Sequence, residues 1–271
     1  MKKTAISILA CMGALLALRT FAETLSFGIP PQQSPTEVVK RWTPVLQYLE
    51  KKTGVLLELK TAKDIATYQQ QILEGGLYDI AYVNPYTYVL ANKLKGYQAF
   101  AQEKDGKSFG MIVTRKGGPI THLSELHRRT VAFPSSHAVM ATLLPLKHLE
   151  DQKISVRVQY VVSIDSVYRS VAKGLFLAGG GESRTLGALD PEIRDQLTVI
   201  WRSEGLPPFP FFAHPRVSAA TVGRLQKAMV EMGQDPEGQA LLKTVNIQEL
   251  EKSSDAHYTD VRKLNLPPQI Q

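Results

Sequence analysis

The sequence predicts an α/β fold of two lobes with mixed, mostly parallel sheets. Three observations lead there. Short apolar runs of strand character alternate with segments of helical period from Leu25 onward. These strands are too numerous for one small sheet. Two breaks, Gly117-Gly118-Pro119 and Leu206-Pro207-Pro208, bracket a middle block of the chain. The expected organisation is a first lobe from residues 23–114 and 205–271, with a second lobe, 115–204, inserted into it.

Taken in order, Leu25-Ser26-Phe27-Gly28-Ile29 alternates as a first strand and Pro30 to Pro35 is a loop. Val38, Val39 and Trp42 mark a helical turn or two. Thr43-Pro44 then reads as an N-cap with proline at the first position of a helix that stops at Gly54. A strand at 55–59 precedes a helix capped by Asp64, with Ile65, Tyr68 and Ile72 on one face and Gly75-Gly76 at its end. Tyr78 to Val83 is a third strand, and Asn84-Pro85 starts the next helix. Residues 96–101 and 108–114 read as two further strands joined by a polar turn.

The second block opens with Thr130-Val131-Ala132-Phe133-Pro134-Ser135-Ser136-His137-Ala138, a buried strand that breaks at proline and runs through two serines into a helix. Val139, Leu143, Leu144, Leu146 and Leu149 keep roughly helical spacing. Ser135 or Ser136 is the natural N-cap, because its hydroxyl can accept from first-turn N–H groups. A helix start at the carboxyl end of a strand is also an anion site; the serines act as caps under either reading. A strand at 156–161, a helix from Ser163 to Gly174 and a short strand at 175–178 follow, the last running into Gly179-Gly180-Gly181. Strands at 197–201 and 209–213, then helices capped at Ser218, at Asp235 and from about Ser254, complete the chain.

Met1-Lys2-Lys3, an apolar run from Ala5 to Leu18 and small residues before Glu23 have the layout of a secretory signal peptide, 1–22, cleaved after Ala22. The run is too short to span a bilayer. Ile8-Leu9-Ala10-Cys11 loosely resembles a lipobox, so lipidation of Cys11 is the alternative. Cys11 is the single cysteine; cleavage at Ala22 leaves no disulfide and no thiolate metal ligand, and stability must come from the core. With 271 residues, 44% hydrophobic and 21% charged, the chain has the composition to build one. Losing Lys2, Lys3 and Arg19 lowers the net charge from +7 to +4, which suits an anionic ligand or simply solubility. No dense Lys/Arg run with interleaved aromatics points to nucleic acid.

The residues argue for binding rather than catalysis. Gly117-Gly118 lacks the Gly-Lys-Ser/Thr ending of a phosphate loop, and Gly181-Glu182-Ser183-Arg184-Thr185 lacks the second glycine of a nucleophile elbow. His122 and His127, beside Arg128-Arg129, read as solvated, and no pair of carboxylates suggests a reaction. No cofactor is expected. In open α/β sheets ligands sit at the carboxyl ends of strands. Those ends carry Gln32 to Ser34, Tyr82 to Tyr86 including Asn84, Ser135 to His137, Ser163, and Gly179 to Ser183 including Gly181. The glycines either form a plain turn or let backbone N–H groups approach a ligand closely.

Several segments resemble the periplasmic phosphonate-, phosphite- and phosphate-binding proteins of ABC transporters. They are Phe27-Gly28-Ile29, Arg41-Trp42-Thr43-Pro44, residues 49–54, Tyr78-Asp79-Ile80-Ala81-Tyr82, Phe133-Pro134-Ser135-Ser136, Asp165-Ser166-Val167-Tyr168 with Val171-Ala172, and Ala213-His214-Pro215. The resemblance spans nearly all of the chain after residue 22. It implies a two-lobed periplasmic-binding fold, a cleft that closes on a small anionic ligand, and a monomer that hands the ligand to a membrane permease. A membrane sensor kinase is the alternative partner. Carried over by position, the anion-reaching tyrosine is Tyr68 and the helix-start hydroxyl is Ser136. His137 stands at the usual threonine, a family tyrosine falls at Ser108 or Phe109, and Ile164 replaces a histidine. The two carboxylates that hold an ammonium in aminoalkylphosphonate binders fall at Arg184 and Phe209. An enclosed ammonium would be left unpaired, whereas Arg184 suits an oxyanion.

Overall fold

The computed structural model describes residues 24–264 and Leu266; the expected signal peptide and Cys11 lie outside them. The chain first runs through β1 (Thr24–Gly28), α1 (Pro35–Thr53), β2 (Leu56–Lys60), α2 (Ile65–Glu74), β3 (Ile80–Tyr82), α3 (Pro85–Lys95) and β4 (Gln98–Glu103). It then crosses to β5 (Gly110–Arg115), β6 (Thr130–Phe133), α4 (Leu144–Asp151), β7 (Arg157–Tyr160), α5 (Ile164–Ala172), β8 (Ala178–Glu182), α6 (Ser183–Gly187), α7 (Pro191–Arg194) and β9 (Leu197–Arg202). It returns through β10 (Phe211–Ala213), α8 (Ala219–Glu231), α9 (Pro236–Thr244) and β11 (Leu250–Lys252).

Two sheets result, one of order β11-β4-β10-β3-β1-β2 and one of order β7-β6-β8-β5-β9. Both are mixed. Parallel pairing is confined to β2-β1-β3 and β7-β6-β8, and β4, β5, β9, β10 and β11 pair antiparallel. The crossings explain the mixture: a strand that enters a lobe from its neighbour arrives from the cleft side and runs against the βαβ set. β5 pairs with β8 and β9, so residues 110–114 belong to the second sheet and not, as the sequence boundary at 114/115 had it, to the first. The two crossings are themselves paired. Ser108 and Leu206 exchange both backbone hydrogen bonds at 2.9 Å, a two-stranded hinge between the lobes.

Local chemistry sets most element ends. Asp64 accepts from Thr67 N at 2.7 Å, Asn84 from Thr87 N at 2.9 Å, and Gly54, Gly75 and Gly96 close α1, α2 and α3 with positive φ. α1 differs from the expectation at Thr43-Pro44. It is one helix from Pro35, capped by Ser34, with Pro44 exposed inside it. Ser34-Pro35 supplies the same cap-then-proline chemistry nine residues earlier, and the buried stripe Val38, Trp42, Val45, Leu46 and Leu49 carries the helix past Pro44. The glycine run also differs: Gly179 to Gly181 lie within β8, not in a turn after it. The expected last helix is instead a pair of 3-10 turns at Asp255–Tyr258 and Asp260–Lys263.

The cores interlock across the cleft. Val139 and Met140 of the second lobe are buried in the first lobe's cluster, and Ile65 of α2 is buried with Ala138, Ala141 and Ile164 of the second. Each such side chain gains roughly 1.5–3 kcal/mol on leaving water. The interlobe hydrogen bond from Asp165 N to Gln32 O adds about 1 kcal/mol by comparison. Apolar contact therefore dominates the closed arrangement.

Candidate functional site

The site is built from one helix of each lobe. On α2 the buried residues Ile65, Tyr68, Gln69, Ile72 and Leu73 form a stripe broad enough to face both the sheet and the other lobe. Tyr68 is fully buried, and its hydroxyl donates to the Tyr82 carbonyl at 3.0 Å. Burial pushes its pKa well above the ordinary tyrosine value. Gly28 makes room for it: a Cβ there would lie 2.9 Å from the Tyr68 hydroxyl and 2.7 Å from the Tyr78 ring. Gln69 follows, 2% exposed, and both its amide oxygen and its amide nitrogen lack a hydrogen-bond partner among the described residues.

The second lobe contributes the helix that follows β6. It begins with a π-type turn, Val139–Leu143, that runs directly into α4. The wide turn lets the Ala138 carbonyl accept from both Thr142 N at 2.7 Å and Leu143 N at 3.1 Å. The N–H groups of Val139, Met140 and Ala141 have no preceding turn to donate to and carry the positive end of the helix. The expected serine cap is not formed. Ala138 occupies the cap position, Ser135 Oγ accepts from His137 N at 3.3 Å, and the exposed Ser136 pairs with His137 Nδ1 at 2.9 Å. Both serines stay in the turn before the helix.

These two elements enclose a chamber of about 30 Å3, lined by Tyr68, Gln69 and Asn84 on one side and Ala138 to Ala141 on the other, with Gln32, Ile164, Glu182 and Phe209 around them. A second cavity of about 40 Å3 shares Pro30 and Gln32 with the first and is lined by Arg41, Trp42, Tyr82 and Arg184.

Glu182 is fully buried and caps α6, accepting from Thr185 N at 2.7 Å, Thr185 Oγ1 at 2.5 Å and Arg184 N at 3.1 Å. Burial raises its pKa, against the lowering pull of Arg184 and these hydrogen bonds. Arg184 turns away from the chamber. Its Nη1 meets Glu103 Oε2 at 2.9 Å, and its guanidinium lies 5.3 Å from the Tyr82 ring centre and 5.7 Å from that of Phe209.

Of the residues expected at the site, Tyr68, Asn84 and the start of the helix after Ser135-Ser136 meet at one chamber, and Tyr82 and Arg184 line its neighbour. Asn84 is also a helix cap, held by Thr87 through both amide atoms. Ser183 and Gly181 stand elsewhere. Ser183 Oγ accepts from Phe109 N and braces β8 against the crossing. Gly181 lies against the Tyr168 hydroxyl, and Gly180 against the Ala141 carbonyl and Phe133, so these glycines admit protein and not ligand. Gln32, which the sequence put at a strand end, and Phe209, which it put at a family binding position, line the chamber too, and Gln69 lines it without having been singled out by the sequence. The signal for Gln69 was a polar residue four positions after Ile65 on an otherwise apolar helical stripe. Among the described residues, no three His, Cys, Asp or Glu side chains gather as a metal ion would require.

The comparisons with known proteins bear on the family and the fold. The chain is 25% identical to the phosphonates-binding periplasmic protein of Escherichia coli (strain K12), over 92% of this chain and 78% of that one. A binding protein component of an ABC phosphonate transporter from Pseudomonas aeruginosa superposes with a TM-score of 0.78 at 20% identity, covering 89% of this chain and 85% of its own. PhnD1 from Prochlorococcus marinus, in complex with methylphosphonate, gives 0.77 at 16% identity, with 89% and 96% covered. These structures share the two-lobed fold expected from the sequence. The family model described as ABC transporter, phosphonate, periplasmic substrate-binding protein matches residues 27–258, and the chain belongs to that family.

Proposed function

We propose that this protein is a non-enzymatic, monomeric carrier that captures a compact phosphorus oxyanion in the periplasm and delivers it to the permease of an ABC transporter. One observation carries the reading. The start of the helix at Val139, whose first N–H groups have no preceding turn to donate to, lines an interlobe chamber together with Tyr68 and Gln69, an arrangement suited to an anion. The rest of the wall selects among anions. Ile65, Val83, Met140, Ile164 and Phe209 are apolar, which fits a P–H or P–CH3 group and leaves an ammonium without a partner. Glu182, the carboxylate that lines the chamber, is taken up by Thr185 and the α6 start. The expected order of affinity is therefore phosphite or methylphosphonate above aminoalkylphosphonates.

Calorimetry on residues 23–271 tests this with phosphite, methylphosphonate, phosphate, 2-aminoethylphosphonate and sulfate. Binding of none of them would remove the chamber as an oxyanion site, and tightest binding of the aminoalkyl compound would reverse the selectivity argued from Phe209 and Ile164. Loss of phosphonate-dependent uptake on deletion of the gene, restored by the wild-type chain, tests delivery as against sensing.

A further inference from the structure

We infer that Gln69 is a ligand-contacting, specificity-determining residue that selects an oxyanion still carrying a proton. The inference rests on the oxyanion reading of the chamber above. It starts from a cost: Gln69 is 2% exposed, and neither amide atom has a protein partner among the described residues. A buried amide with both ends unpaired is expensive, and proteins retain such groups where a ligand completes them. Gln69 lies one helical turn after Ile65 on α2, and Ile65 packs against Ala138, Ala141 and Ile164. The amide thus lines the chamber with the helix start at Val139 to Ala141 on the opposite wall.

The two walls ask for different things. The helix start offers only donors and takes unprotonated oxygens. The Gln69 amide offers one donor group and one acceptor, so a ligand satisfies both ends only if it presents an oxygen lone pair and an O–H together. A hydrogen phosphonate or hydrogen phosphite does so: one P–O oxygen accepts from the amide nitrogen while P–OH donates to the amide oxygen. Sulfate has no proton to give and leaves the amide oxygen buried and unpaired. The other polar groups facing the chamber do not fill this role. The Tyr68 hydroxyl already donates to Tyr82, Asn84 is engaged by Thr87, the Glu182 oxygens are held by Thr185 and Arg184 N, and Gln32 is only half-buried, so water can satisfy its amide without a ligand.

The test is a comparison of wild type with Gln69→Met, a near-isosteric change that removes both polar atoms. Titrations with methylphosphonate and with sulfate are run at about pH 5.5, below the second ionisation of a phosphoryl group at about 6. Wild type should prefer methylphosphonate to sulfate by at least about tenfold, and Gln69→Met should lose most of that ratio. Without ligand, Gln69→Met should melt about 2–4 °C higher, because a buried unpaired amide is replaced by apolar surface. A ratio that survives the substitution overturns the inference while leaving the oxyanion site intact, and so does a lower melting temperature, which marks Gln69 as structural. A wild-type chain that binds neither anion nor any other oxyanion overturns the functional reading and this inference together.

Discussion

Arg184 of the second lobe and Glu103 of the first meet at 2.9 Å, with Arg184 only 8% exposed. The arginine is engaged through both Nη atoms. Tyr82 and Phe209 lie against its guanidinium, and Nη2 donates to the Val245 carbonyl at 3.4 Å. Asn246 in turn donates to the Arg184 carbonyl at 3.1 Å. At sequence level Arg184 read as a group for the ligand; in the structure its charge serves the junction between lobes, beside the Ser108–Leu206 crossing. A buried ion pair of this kind is close to neutral against an apolar replacement, yet removing one partner costs about 3–5 kcal/mol. Its effect is on which lobe arrangement is allowed more than on total stability.

Glu103→Ala should therefore loosen the closed arrangement. The unpaired guanidinium is costly only while Tyr82, Phe209 and Val245 enclose it, so opening the lobes relieves it. Small-angle scattering should show a larger radius of gyration, and ligand affinity should fall. The double change Glu103→Met with Arg184→Met should recover most of both, since no charge is then left buried. An unchanged radius and affinity in Glu103→Ala would mean that apolar contacts alone hold the lobes.

Ser136→Ala tests where the anion sits. Ser136 is exposed and its hydroxyl faces His137 Nδ1, outside the chamber. If the backbone N–H groups of Val139 to Ala141 hold the ligand, affinity should move by no more than about 0.5 kcal/mol, the usual range for a surface change. A loss of about 1–3 kcal/mol, the scale of a hydrogen bond to a charged group, would place the oxyanion at the Ser135–His137 turn instead.

The physical reasons for what the sequence disclosed are local. Asp64, Asn84, Ser163 and Ser218 cap the helices they were expected to cap, because a cap is a three-residue relationship written in adjacent letters. Tyr68 was legible for the same reason as a face position on a well-bounded helix, and as a site residue only through the family resemblance. What was not legible depended on distant partners. The helix opens at Val139 with a π-turn, leaving Ser135 and Ser136 off the cap position, and Val139 and Met140 are buried in the first lobe's core. The glycine run reads alike as a turn or as a packed strand until Tyr168 and Ala141 are seen against it. The destination of Arg184 depends on Glu103, 81 residues away. Residues 110–114 fell on the wrong side of the boundary because strand character does not say which sheet a strand joins.

Glu182→Gln should alter the pH dependence of stability in a defined direction. Burial raises the Glu182 pKa, so the folded chain holds this proton more tightly than the unfolded chain does. Stability contributed by the group is then greatest at low pH and falls as pH rises from the ordinary glutamate value, about 4.3, to the raised one. Glutamine keeps an oxygen for Thr185 and loses the acceptor for Arg184 N, a constant offset of about 1 kcal/mol. Urea unfolding of both chains across this range isolates the group, because depressed carboxyls such as Asp64 and Asp79 cancel in the difference. If the difference between the two chains does not change with pH, Glu182 is not carrying a raised pKa.

Gly180→Ala and Gly181→Ala separate packing from binding within one strand. A Cβ on Gly181 would overlap the Tyr168 hydroxyl, which bridges the backbone on both sides of Glu182 by accepting from its N–H and donating to its carbonyl, each at 2.7 Å. A Cβ on Gly180 would overlap the Ala141 carbonyl and the Phe133 ring, and would push the first turn of the anion-facing helix. Both changes should destabilise the chain by about 3 kcal/mol, the upper end for overpacking, because neither obstacle is the free end of a flexible side chain. Their effects on ligand affinity should differ. Gly180→Ala displaces the N–H groups of Val139 to Ala141 and should weaken binding at least about tenfold, whereas Gly181→Ala moves Tyr168 on the far face and should leave affinity within about threefold. Calorimetry at a temperature where denaturant melts show both variants folded makes the comparison. Stronger loss of affinity in Gly181→Ala than in Gly180→Ala would return the glycine run to the ligand and take the helix start out of the site.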